Sequence, residues 1–174
     1  DIFMGGAQGQ AGQIFLQDRS GGWKAIDVPD LKKDAAFEDV ASLFFDADKD
    51  GDPDLYVCSG GYETAANDPG LQDRLYLNDG KGHFARKTDA LPSMLSSKGC
   101  VRAADVDGDG DLDLFVGGRV VPGLYPTAPR SYLLINDGKG VFTDATEQWS
   151  KELTSPGMVT DAVWMDLNAD NKPD

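Results

Sequence analysis

Short apolar runs recur along the chain, each closed by Gly, Asp or Asn, and they are of four kinds. The first leads into an Asp-rich stretch, as in Ala41-Ser-Leu-Phe-Phe45, Val101-Arg-Ala-Ala104 and Ala162-Val-Trp-Met165; the second leaves it, at Leu55 to Cys58 and Leu114 to Gly117. The third kind is Gln13-Ile-Phe-Leu-Gln-Asp18, Arg74-Leu-Tyr-Leu-Asn-Asp79 and Tyr132-Leu-Leu-Ile-Asn-Asp137, each followed by a Gly-containing turn and an aromatic at Trp23, Phe84 or Phe142. The fourth spans His83 to Thr88 and Val141 to Thr146. Between the third and fourth kinds stands Asn-Asp-Gly-Lys-Gly, a strong hairpin signal because its glycines accept the positive φ of a tight reversal. The pattern predicts four antiparallel strands per unit. It places Phe44, Phe45, Tyr56, Phe115 and Trp164 in the packing between units, and ends the second strands at Gly5, Gly6, Gly117 and Gly118.

The units repeat in register. Asp1-Ile-Phe-Met-Gly-Gly6 aligns with Asp54-Leu-Tyr-Val-Cys-Ser59 and Asp113-Leu-Phe-Val-Gly-Gly118, and Asp174 matches Asp1 one repeat later. Three repeats result, at about 1–53, 54–112 and 113–174.

Each junction carries a nine-residue loop: Asp46-Ala-Asp-Lys-Asp-Gly-Asp-Pro-Asp54, Asp105-Val-Asp-Gly-Asp-Gly-Asp-Leu-Asp113 and Asp166-Leu-Asn-Ala-Asp-Asn-Lys-Pro-Asp174. Asp at positions 1, 3, 5 and 9, with a residue tolerant of left-handed backbone at 6, gathers oxygen ligands where like charges repel unless a cation sits among them. The helix-loop-helix version of such a loop needs Glu at position 12, where this chain has Val57 and Val116. These are calcium loops joining strands. The third departs from the others: Asn168 stands at 3, Asn171 at 6 and Lys172 at 7, leaving Asp166, Asp170 and Asp174, so two strong sites and a weaker third are expected.

Charge fits this reading. The chain carries a net −14 with an isoelectric point near 4.3, and three calcium ions would cancel six of those charges. The acidity disfavours nucleic acid as a partner, and no apolar run is long enough for a membrane span. The opening residues also lack the basic and apolar regions of a signal peptide.

Together the Asp-rich loops and the Asn-Asp-Gly-Lys-Gly hairpins resemble the FG-GAP or VCBS-type repeats of integrin alpha-subunit propellers and secreted bacterial proteins. The resemblance covers the whole chain. It implies an all-β fold of propeller blades, each of four antiparallel strands, as about three blades of a larger, typically seven-bladed ring, with calcium between strands one and two. It also implies side-chain ligands at Asp46, Asp48, Asp50, Asp54, Asp105, Asp107, Asp109 and Asp113, with Asp52 and Asp111 at the position where the family uses a backbone carbonyl. Because a propeller needs four to eight blades, the remaining blades of a longer chain, or self-association of several copies, are expected to complete it.

Other residues invite blander readings. His83, the single histidine, is hairpin-edge decoration, and without it no Ser-His-Asp or Cys-His constellation exists. Cys58 and Cys100 allow one disulfide at most; two buried free thiols are the commoner outcome. Opposite the calcium loops run the longer connections, which carry Tyr62, Arg119, Tyr125, Arg130 and Trp149 as candidates for a sugar- or protein-binding face. The expectation is a non-enzymatic, calcium-stabilised segment for binding or adhesion, secreted, periplasmic or on a cell surface, where millimolar calcium fills weak loops. The alternative is the propeller portion of a calcium-dependent carbohydrate-active enzyme such as a polysaccharide lyase.

Overall fold

A computed structural model describes all residues from Asp1 to Asp174. The protein is all-β, with three antiparallel sheets and a few short helical segments. The first sheet holds β1 (Ile2–Met4), β2 (Gln13–Gln17) and β3 (Trp23–Ala25) in that order. The second runs β4 (Asp39–Phe45), β5 (Asp54–Ser59), β6 (Arg74–Asn78) and β7 (Phe84–Arg86). The third repeats this arrangement with β8 (Ser97–Ala104), β9 (Asp113–Val120), β10 (Tyr132–Asn136) and β11 (Phe142–Asp144). Register is shared as well as order: Phe45 faces Asp54 across β4 and β5, and Ala104 faces Asp113 across β8 and β9.

Alternation along β5 explains how the sheets stack. Leu55 and Val57 point to one side, into a core with Ile14, Val28 and Leu31 of the first repeat. Tyr56 and Cys58 point to the other, against Val101, Leu114, Val116, Tyr132 and Phe142 of the third sheet. All six residues of β5 are buried, so the second sheet lies between the other two. Each such aliphatic or aromatic side chain contributes about 1.5–3 kcal/mol on burial. Phe45, Tyr56 and Phe115 are buried as the pattern predicted; Phe44 packs edge-on to Phe84, and Trp164 edge-on to Phe115. Both cysteines are buried and free.

Some expectations need correction. Residues 162–165 form no strand, because a strand exists only as one of a pair and no second strand lies beside them. The segment is tethered along the third sheet instead: Val159 N–H donates to Gly118 O (2.8 Å), Arg102 Nε to Ala162 O (2.8 Å), and Trp164 Nε1 to Arg102 O (3.3 Å). The first sheet has three strands, not four. Gly117 and Gly118 do not end β9, which continues to Val120. Their missing side chains serve close approach, since a Cβ on Gly118 would stand 2.3 Å from Arg130 O. The connections also contain α1 (Pro29–Lys33) and α2 (Thr146–Trp149), with 3-10 turns at Pro69–Leu71 and Lys151–Thr154. The first helix follows its composition, with Pro at its start, Asp30 in the first turn, Lys32 and Lys33 in the last, and Leu31 buried.

Candidate metal centre

The Asp-rich loops join β4 to β5 and β8 to β9, at the same end of the sheets as the β6–β7 and β10–β11 hairpins. In the first loop, oxygens of Asp46, Asp48 and Asp50 lie within 4.8 Å of one another; in the second, those of Asp105, Asp107 and Asp109 do the same. Backbone amides shape both. Gly51 N–H donates to Asp46 Oδ2 (3.0 Å) and Gly110 N–H to Asp105 Oδ2 (3.0 Å), while Asp52 N–H and Asp111 N–H donate to Asp50 Oδ1 (2.9 Å) and Asp109 Oδ1 (2.8 Å). Two oxygens of the first loop, Asp46 Oδ1 and Asp48 Oδ1, are buried with no hydrogen-bond partner. Burial and the neighbouring Asp50 carboxylate raise the Asp48 pKa. Buried, unpartnered carboxylate oxygens held close to like charges fit a hard divalent cation, which supplies the missing partner and the missing charge at once.

Asp54 and Asp113, at position 9, are fully buried. Asp54 accepts Ala47 N–H (2.9 Å) and Asn78 N–H (2.7 Å); Asp113 accepts Val106 N–H and Asn136 N–H (both 2.9 Å). Each therefore ties its loop to the start of the following hairpin. Burial pushes Asp54 up to about 6 and raises Asp113, against the lowering effect of those amides. Asp52 and Asp111, at position 7, turn toward Gly80 and Gly138, and Asp111 is ion-paired with Lys49 of the preceding loop.

The third loop has the same turn in the open. Leu167 N–H donates to Asp174 Oδ2 (2.8 Å), Asn171 N–H to Asp166 Oδ2 (2.9 Å), Asp170 N–H to Asn168 Oδ1 (2.9 Å) and Lys172 N–H to Asp170 Oδ1 (2.9 Å). Asp166, Asn168, Asp170, Lys172 and Asp174 are all exposed. Only two carboxylates, Asp166 and Asp170, stand at the positions that converge in the other loops, with Asn168 at the third, and Asp170 N–H also donates to Asp166 Oδ1 (3.2 Å).

At the opposite end, the five candidate ligand residues do not form one site. Tyr62 and Arg119 line a single cavity of about 420 Å³ with Glu38 and Glu63. Arg130 is occupied by Asp144 (2.8 Å) and Glu147 (3.3 Å) and lines a separate cavity of about 330 Å³. Tyr125 and Trp149 are exposed and line neither. His83 is exposed and hydrogen-bonded to Asp79 (2.8 Å), whose carboxyl this contact lowers to about 2.

Sequence reasoning missed the buried charges at this end. Lys98 is fully buried, donates to Leu71 O (2.5 Å) and Met94 O, and stands 3.3 Å from Asp73. Asp73 also accepts Tyr56 Oη–H (2.8 Å) and Ser59 N–H (2.7 Å); beside it the buried Arg74 pairs with Asp39 (2.6 Å), which accepts Gly6 N–H (2.8 Å) from the connection between β1 and β2. The only signal was a charged residue abutting a strand run, as at Asp73-Arg74, which by itself reads as a solvated turn.

Stacked antiparallel sheets whose first two strands are linked by acidic oxygen-rich loops define an all-β repeat protein with candidate cation sites. A family model described as FG-GAP-like repeat matches residues 59–116, which span the end of β5, β6 to β8, the second Asp-rich loop and the start of β9. Over this stretch the chain is similar to an FG-GAP-like repeat. No curated protein matches it.

Proposed function

We propose that the chain is a calcium-stabilised, non-enzymatic stack of β-propeller blades that presents a binding surface to a protein or glycan outside the cell. The observation that carries this reading is the convergence of Asp46, Asp48 and Asp50, and of Asp105, Asp107 and Asp109, with Asp46 Oδ1 and Asp48 Oδ1 buried and unpartnered. Each sheet is a blade in this reading, and Asp54 and Asp113 carry the effect of the ion into the strands through the Asn78 and Asn136 amides. In this reading the metal is structural, with the carboxylates of each loop given over to the ion. Asp-rich loops of this kind fill at extracellular calcium levels, which supports a secreted, periplasmic or surface location.

Isothermal titration of chelator-treated protein tests the reading. Calcium should fill two sites before a weaker third, and magnesium should compete poorly because it demands a smaller, stricter octahedron. Absence of calcium heat would refute it.

A further inference from the structure

Position 4 of each packed Asp-rich loop lies between the second and third converging carboxylates and has left-handed backbone, at φ 63° for Lys49 and 83° for Gly108. Glycine adopts this conformation freely, and a residue with a Cβ is strained in it. The first loop nevertheless carries a lysine there, and the long side chain leaves its own loop for the next one.

The Lys49 ammonium ends over the second loop. It is ion-paired with Asp111 Oδ1, at position 7, and its nitrogen lies 3.6 Å from the point where a Cβ on Gly110, at position 6, would stand. Asp111 Oδ1 is buried and accepts a hydrogen bond from no other group. Asp111 N–H donates to Asp109 Oδ1 (2.8 Å) and Gly110 N–H to Asp105 Oδ2 (3.0 Å). The ammonium therefore stands beside the backbone that orients two of the three converging carboxylates.

A lysine on a mobile loop would average its charge over many positions, but here the loop that carries it is fixed against the loop that receives it. Phe45 and Ala47, at the start of the first loop, are buried, and Phe45 packs on Phe142 with ring centroids 6.2 Å apart. Asn136 Nδ2 donates to Ala47 O of the first loop (2.9 Å) and to Leu112 O of the second (3.2 Å), while Asn136 N–H donates to Asp113 (2.9 Å). One residue thus binds both loops and the position-9 aspartate of the second.

We propose that Lys49 is a built-in counter-cation of the second Asp-rich loop, so that the calcium affinity of one repeat's loop is set by a side chain from the loop before it. The proposal rests on the calcium reading above. In the metal-free protein the ammonium offsets part of the repulsion among Asp105, Asp107, Asp109 and Asp111; the same ammonium opposes the entry of a divalent ion. Lys49 therefore stabilises the empty loop and weakens the filled one.

Calorimetric titration of the whole 174-residue chain with calcium tests this. Lys49→Met should raise affinity at the second loop about three- to tenfold at low salt, with the gain shrinking at high salt as the field of the ammonium is screened. Lys49→Gly, which also relieves the left-handed backbone, should give a similar gain, and Lys49→Arg, which keeps the charge, should not. In an Asp107→Ala background, which removes a ligand of the second loop, the gain should vanish. In chelator Lys49→Met should melt below the wild type, and in saturating calcium the difference should close or reverse. Calcium uptake with equal affinities in Lys49→Met, Lys49→Gly and the wild type, or weaker uptake in both variants, overturns the proposal and leaves the calcium reading standing; no calcium heat in any of the proteins overturns both.

Discussion

The first and third Asp-rich loops share a turn but not a setting. Ala47 N–H and Leu167 N–H each donate to the position-9 aspartate, Gly51 N–H and Asn171 N–H each donate to the position-1 aspartate, and Lys49 and Ala169 share a φ of 63°. Asp54, however, is fully buried and also holds the Asn78 amide, whereas Asp174 is exposed and makes no bond to a strand amide. The turn is therefore local, a matter of short polar side chains bonding nearby backbone. What differs is the charge environment: Asp54 and the Asp46 and Asp48 Oδ1 atoms of the first loop are buried, whereas Asp166, Asp170 and Asp174 of the third are exposed.

The comparison can be broken most directly by removing calcium. If the two packed loops hold ions, saturating calcium at a hundredfold over each dissociation constant adds about 2.7 kcal/mol per site, and chelation should lower the melting temperature by many degrees. Equal melting curves with and without chelator would place the packed loops alongside the exposed one.

Position 9 comes next. Asp113→Ala leaves Val106 N–H and Asn136 N–H without their carboxylate and should cost about 3 kcal/mol in chemical denaturation, while Asp174→Ala should cost less than about 0.5 kcal/mol. Similar losses at the two positions would mean that the buried brace matters no more than the exposed turn.

Acidity sharpens the contrast. The folded-state pKa of Asp54, about 6, lies above the ordinary aspartate value near 4, so the metal-free folded state binds a proton that the unfolded chain does not. In chelator, this group's contribution to stability should rise as pH falls from about 6 toward about 4. In calcium the trend should reverse, since protons displace the metal. Thermal melts across that range, with Asp54→Asn as control, check it: the variant should lose the chelator trend.

The smallest effect concerns Ala169, a residue with a Cβ held at positive φ. Ala169→Gly relieves a strain of about 1 kcal/mol that the metal-free loop already carries, so calcium affinity at the third loop should stay within about twofold, read by titration. A gain of several-fold would mean that the loop takes up this turn only on binding.

Strand order and the Asp-rich turns were legible because both are short-range. Alternation in Leu55 to Cys58 marks two faces, and Asn-Asp-Gly-Lys-Gly selects its own reversal, with Gly80 and Gly138 at φ 70°. Residues 162–165 carry the same apolar pattern as residues 41–45, and what the pattern did not reveal is their tether to Arg102 of the third sheet. Lys98 and Asp73 look solvated in the sequence, and only the approach of the second sheet to the third buries both and joins them. The five aromatic and basic loop residues share a type but not a place, because the connections that carry them fold onto different sheets.

By itself the sequence determined the turns, the strand types and the list of acidic side chains available to a cation, since each depends on interactions within a few residues. The tertiary structure alone decided which acidic oxygens are buried without partners, which loop is seated in the next sheet and which stands free. Burial and seating are properties of contacts between distant segments, and they follow from the stacking of the sheets.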